Sequence, residues 1–190
     1  MLTGTLKYLI EFPKGKNKLI IGSAEKIDIQ VFGVGVQERH AGVSFENGEY
    51  FIEPFQNARV LRNGKQLEEK FQLNNFDRIV VGASLYYLFV NPSKFGQDQD
   101  IVQNQMNLVT VDKIQQEIAE ESGLISSSGD RSNSEIACLN ELIDLMPNIE
   151  EANQMSILLD KKISYKPIIL NPIVIGDPHS KVQVSCFVFV

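Results

Sequence analysis

From Thr3 to about Asn91 the chain runs in short apolar stretches, each bounded by turn-forming residues. Leu6-Lys7-Tyr8-Leu9-Ile10-Glu11-Phe12 is the first, and Leu19-Ile20-Ile21-Gly22 is the second. Ile27-Asp28-Ile29-Gln30-Val31 alternates apolar and polar with period two, the spacing that sets one face of a strand on a core. Further runs occupy 41–46, 50–52, 59–62, 66–67, 71–73, 78–81 and 85–90. Asn63-Gly64 supplies two residues tolerant of positive φ, which a two-residue type I′ hairpin turn requires. Some ten strands at such short spacing, with no helical period between them, predict a β-sandwich over 1–92.

Beyond Pro92 the texture changes. Residues 93–109 are polar and aperiodic and read as a linker. A helix is expected over 110–123: Thr110 caps it, Asp112 sits in its first turn, Val111, Ile114 and Ile118 share a face, and Gly123 stops it. Residues 124–133 form a Ser-rich loop. Ser132 and Glu135 have capping-box spacing and open a helical segment over 134–161, with Ile136, Leu139, Leu142, Ile143 and Met146 on one face. A break is expected near Pro147, which has no N–H to give and crowds the preceding turn. Residues 162–190 return to β, with runs at 165–170 and 182–190. The overall class is mainly β, or α+β counting the helices. The apolar helical face is too wide to stay wet, which predicts intramolecular cover with the β-tail as first partner. The final run, VQVSCFVFV, has no charge or turn after it and predicts a polypeptide that continues.

Charge narrows the partners. A net charge of −6 disfavours nucleic acid and anionic membrane surfaces, and no apolar run approaches the ~20 residues that span a bilayer. No basic region precedes the first apolar stretch, so no secretory signal is expected and the setting is read as cytoplasmic. Cys138 and Cys186 with His40 and His179 are too scattered to make a zinc site and read as free thiols and isolated imidazoles. Gly33-Val34-Gly35 lacks the third glycine of a dinucleotide loop, and Gly64-Lys65-Gln66 lacks the remainder of a P-loop. Glu117, Glu120, Glu121, Glu150 and Glu151 read as solvated helix surface. Neither an enzyme nor a cofactor is expected.

The turn residues of the β half come in an order that carries meaning as a set. Ile21-Gly22-Ser23 ends one strand, and Gly33-Val34-Gly35-Val36-Gln37-Glu38-Arg39-His40-Ala41 forms the next loop. Pro54-Phe55-Gln56-Asn57-Ala58-Arg59 leads to Arg62-Asn63-Gly64, and Asp77-Arg78-Ile79-Val80-Val81-Gly82 closes the set. This resembles the forkhead-associated (FHA) domain, a β-sandwich of about eleven strands that reads phosphothreonine peptides through the loops at one end. The resemblance implies candidate peptide-facing residues Ser23, Gln37, Arg39, His40, Asn57, Arg59 and Asn63. Family members place an arginine after the first glycine and a serine three before the histidine. Here those positions hold Ser23 and Gln37, which removes the bidentate guanidinium fork from the phosphate site. Asn57, His40, Asn63 and Gly64 match the family, where the histidine holds the loop from inside.

The Gly-Ser pair, the GVGVQERHA loop and the Glu-Ala-Asn element after Glu150 are similar to the FHA segment of transport kinesins of the kinesin-three class. That resemblance implies a non-catalytic interaction module of a cytoskeletal motor. Its partner would be a cargo adaptor, a phosphopeptide or the motor's own neck region, without nucleic-acid binding or membrane insertion. The alternative is a phosphothreonine-reading signalling module attached to no motor.

Overall fold

The computed structural model of the chain describes residues 10–94, 104, 108–125, 133–170 and 183–189. Among the described residues nine strands build the first part: β1 Lys18–Gly22, β2 Ile29–Gln30, β3 Ala41–Glu46, β4 Glu49–Pro54, β5 Val60–Arg62, β6 Lys65–Gln66, β7 Phe71–Gln72, β8 Arg78–Val81 and β9 Leu85–Leu88. They form two sheets, in the order β2-β1-β3-β4-β7 and β6-β5-β8-β9. All neighbours are antiparallel except the β1–β2 pair, which is parallel. A two-sheet sandwich is therefore present, its strands running from Lys18 to Leu88. Of the first predicted strand, residues 6–9 lie outside the described residues, and 10–12 are not in a strand.

Asn63 and Gly64 have φ of 49° and 82°, and Arg62 pairs with Lys65 across them, which is the predicted two-residue turn. Asn47-Gly48, at 51° and 85°, makes the same turn between β3 and β4. The core between the sheets contains Ala41, Ile52, Val60, Leu67, Leu73, Ile79 and Val81.

Side chains alternate across a strand, so Leu61 and Val80, the neighbours of Val60, Ile79 and Val81, point away from this core. They pair directly with each other, and Val80 pairs with Tyr86, which puts an apolar row on the outer face of the second sheet. Helix α1, Val111–Glu121, covers that row with Ile114 and Ile118. Thr110 caps it, its hydroxyl accepting from the Lys113 N–H at 3.2 Å, and Gly123 ends it at φ 74°. The approach is close: a Cβ on Gly64 would lie 2.6 Å from the Glu117 carbonyl oxygen, so the hairpin glycine serves both its turn and the helix above it.

Helix α2, Asn133–Leu158, packs Leu142 and Met146 against Ala119 and Ile125, with Leu139 and Ile118 beside them. Two expectations need correction here. The break near Pro147 does not occur; the helix continues through it. The missing proline N–H costs one intrahelical bond, while both halves are held from outside, the first on α1 and the second on the sandwich and the tail. The main partner of the 139–146 face is α1 rather than the β-tail. That tail is a two-stranded antiparallel ribbon, β10 Ser164–Leu170 with β11 Gln183–Phe189. It meets the later half of α2, where the Asn153 side chain bonds both the N–H and the C=O of Tyr165, at 2.7 and 3.0 Å. The Ser132 cap, most of the 93–109 and 124–133 segments and His179 lie outside the described residues.

Candidate peptide-recognition site

Three loops meet at one end of the sandwich: 23–28, 31–40 and 55–59. The first two are joined by main-chain bonds, Ser23 N–H to Gln37 C=O at 3.0 Å and Ala24 N–H to Glu38 C=O at 3.3 Å. Gly22 permits this contact, because a Cβ there would lie 2.1 Å from the Glu38 carbonyl oxygen. The third loop joins through Phe55 N–H to His40 C=O at 2.9 Å, and the Gln37 side-chain amide reaches the Gln56 carbonyl at 3.4 Å.

His40 is fully buried beneath them. Its Nδ1 accepts from the Gln37 N–H at 3.2 Å and its Nε2 lies 2.9 Å from the Arg59 carbonyl. The Gln37 donor and the Arg59 acceptor assign the proton to Nε2, and the Gly82 N–H also lies 3.3 Å from that nitrogen. Burial holds the imidazole pKa below its ordinary value, with the Arg59 carbonyl opposing that shift. The ring ties one loop to another and does not face solvent, so its part in the site is to position.

The predicted residues separate into two groups. Ser23, Gln37, Arg39 and Asn57 gather on the loop end, with Gln37, Arg39 and Asn57 exposed. Asn57 sits at φ 60° at the tip of its turn, and the Arg39 guanidinium lies 5.4 Å from the centre of the Phe55 ring. Arg59 and Asn63 are engaged elsewhere. The Arg59 guanidinium donates to the Gly82 carbonyl at 2.7 Å and pairs with Glu150 of α2 at 2.9 Å; burial lowers its pKa and Glu150 counters that. The Asn63 amide donates to Asp77 at 2.9 Å while its oxygen accepts from the Arg78 N–H at 2.9 Å, locking the hairpin to β8.

Sequence reasoning missed three carboxylates. Glu117 takes two bonds from Arg78, both at 2.9 Å; Glu150 pairs with Arg59; and Glu151 accepts from the Ser84 hydroxyl at 2.7 Å. They are fasteners of the helices to the sandwich and not solvated surface. Asp77, which opens the closing motif, is buried and accepts from Arg62, Asn63 and the Asn74 N–H. Among the described residues no group of three or more His, Cys, Asp or Glu is placed to hold a metal ion.

A cluster of loops stitched over a buried histidine, on two sheets carrying an Asn-Gly hairpin, agrees with what comparison finds. Residues 19–82 match the family model of the FHA domain. Residues 19–82 of this chain are an FHA domain. The mouse kinesin-like protein KIF28 is 28% identical over 167 residues, covering 86% of this chain and 16% of that protein. Human kinesin-like protein KIF13B is 31% identical over 80 residues, covering 42% of this chain and 4% of its own length. This chain thus corresponds to a small part of these relatives. Among solved structures, the N-terminal FHA domain of yeast Rad53p in complex with a phosphothreonine peptide is 17% identical. The match has a TM-score of 0.36 and covers 40% of this chain and 70% of that one.

Proposed function

We propose that this chain is the non-catalytic FHA segment of a kinesin-like, cytoskeleton-associated motor, working in the cytoplasm as a protein-interaction module for a cargo adaptor or the motor's own neck. The observation that carries this reading is the extent of the likeness to kinesin-like KIF28. It runs over 86% of the chain, well past the sandwich and through the helices. An FHA module attached to no motor would share the sandwich and have no reason to share the helices beyond it.

The loop end supports recognition of an extended peptide without a phosphate fork. Ser23 and Gln37 stand where a guanidinium and a short hydroxyl would hold the dianion, and Gln37 bridges to the neighbouring loop instead. Asn57 remains exposed to take a peptide backbone. Two measurements test the two parts. The transcript should encode a nucleotide-binding motor domain upstream and in frame; a stop codon immediately before Met1 would overturn the motor assignment. Calorimetric titration with phosphothreonine peptides should show weak or undetectable binding. Micromolar affinity that depends on the phosphate would overturn the second part and leave the first standing.

A further inference from the structure

Where the second sheet, both helices and the ribbon meet, the layers leave a cavity of about 430 Å³. Small-molecule pockets span roughly 300 to 1,000 Å³, so this one has room for a single ring and what is attached to it. Its walls are apolar: Leu61 of β5, Ile118 of α1, Met146 and Ile149 of α2, and Pro167 of β10. Leu124, which is 36% exposed, and the exposed Lys65 and Glu121 also line it, so it opens to solvent on their side.

Two polar side chains mark its inner end. Gln115 lines the cavity and is 4% exposed. Its side-chain N–H donates to the Tyr86 hydroxyl at 2.6 Å, while its carbonyl oxygen has no hydrogen-bond partner among the described residues. A buried acceptor left unpaired is costly, and this one calls for a donor. Arg59 lines the cavity too. Its Nη1 donates to the Gly82 carbonyl and its Nε faces Glu150, which leaves the Nη2 amino group without a hydrogen-bond partner among the described residues. It calls for an acceptor.

These demands narrow the occupant. An anion would meet the Glu150 carboxylate and the Gln115 oxygen, and a cation would meet the guanidinium. A plain hydrocarbon would leave the Gln115 oxygen unpaired, and water would pair it while gaining nothing from the apolar walls. An indole donates but cannot accept. An uncharged ring bearing a hydroxyl meets every demand: its face packs on the walls, and its oxygen both donates and accepts.

We propose that this cavity is a binding site for a phenol ring, supplied by a small phenol or by the tyrosine side chain of a partner polypeptide. Gln115 accepts from the ring's hydroxyl and Arg59 donates to it. The site rests neither on the loop-end reading nor on the motor assignment.

Titration of the full 190-residue chain with para-cresol, followed by the NMR shifts of the Leu61, Ile118 and Ile149 methyl groups, tests it. A Kd of about 1 mM or tighter is expected. Para-methylanisole, the same ring with its hydroxyl hydrogen replaced by methyl, should bind at least about tenfold more weakly. Gln115→Met should bring para-cresol down to the affinity of para-methylanisole. Leu124→Trp should plug the mouth and abolish binding of para-cresol, with circular dichroism and melting unchanged because the position is partly exposed. An acetylated Gly-Tyr-Gly amide that binds as well as para-cresol would make a partner polypeptide the source; a tripeptide that does not bind would make it a small phenol, and either result upholds the site. Absence of shifts with para-cresol, equal affinity for the two rings, or either variant binding para-cresol like wild type would overturn the proposal.

Discussion

The two outer faces of the sandwich have opposite fates. On the sheet β2-β1-β3-β4-β7, solvent-side positions carry exposed ion pairs, Lys18 with Glu53 and Lys70 with Glu46, and the Lys70 ammonium rests over the Phe51 ring. On the sheet β6-β5-β8-β9, the corresponding row is Leu61, Val80 and Tyr86, covered by α1 and fastened at its margins by Arg78–Glu117, Arg59–Glu150 and Gln115–Tyr86. The first face belongs to a sandwich that ends in water. The second belongs to a three-layer body in which helices are a structural layer. The helical half thus packs as a layer on the sandwich and is not a tail hung from it.

Truncating Leu61 should break this contrast most visibly. It is 4% exposed, and Leu61→Ala should destabilise the chain by roughly 2–5 kcal/mol, while Phe51→Ala on the open face should cost less than half as much. Denaturant melts of the two variants decide this, and equal losses would mean that the helices contribute little. Glu117→Ala should cost about 1–3 kcal/mol, because it leaves the partly buried Arg78 guanidinium without its carboxylate. Glu46→Ala, on the open sheet, should melt like wild type; comparable shifts in the two melts would remove the distinction.

At the loop end, His40→Ala should lower stability by roughly 1–3 kcal/mol through its lost partners Gln37, Arg59 and Gly82, and it should also alter the pH profile. Burial depresses the His40 pKa, so above about pH 6.5 it is neutral in both folded and unfolded chains and its contribution is complete. As pH falls below that value the unfolded chain binds the proton first, and stability declines by at most about 1.4 kcal/mol per pH unit until the folded pKa is reached. Melts between pH 7 and pH 5.5 should show this slope in wild type and not in His40→Ala. Gln37→Ala, which loses only a long bond on an exposed loop, should change stability by no more than ~0.5 kcal/mol.

How far each feature was legible in the sequence depends on how local its cause is. The Asn63-Gly64 turn, the Thr110 cap and the Gly123 stop depend on a few adjacent residues, and the structure has them where expected. The loop-end set Ser23, Gln37, Arg39 and Asn57 came from motif order, which the fold brings to one end. Glu117, Glu150 and Glu151 were misread because their partners Arg78, Arg59 and Ser84 lie 39 to 91 positions away in sequence, and no periodicity records that. Pro147 was misjudged for the same reason: local rules see the missing N–H but not the external contacts that hold the helix on either side. One available signal went unused. Ile79-Val80-Val81 is apolar without alternation, which marks a strand buried on both faces and so implies a layer beyond the sandwich.

Hydrogen exchange with mass spectrometry on the full chain tests this integral-layer account most directly. If α1 roofs the second sheet as a structural layer, amides of 114–121 should be protected in step with those of β8 and lose protection together with them as denaturant rises. Exchange of α1 at the rate of an unsupported helix, while β8 stays protected, would contradict it.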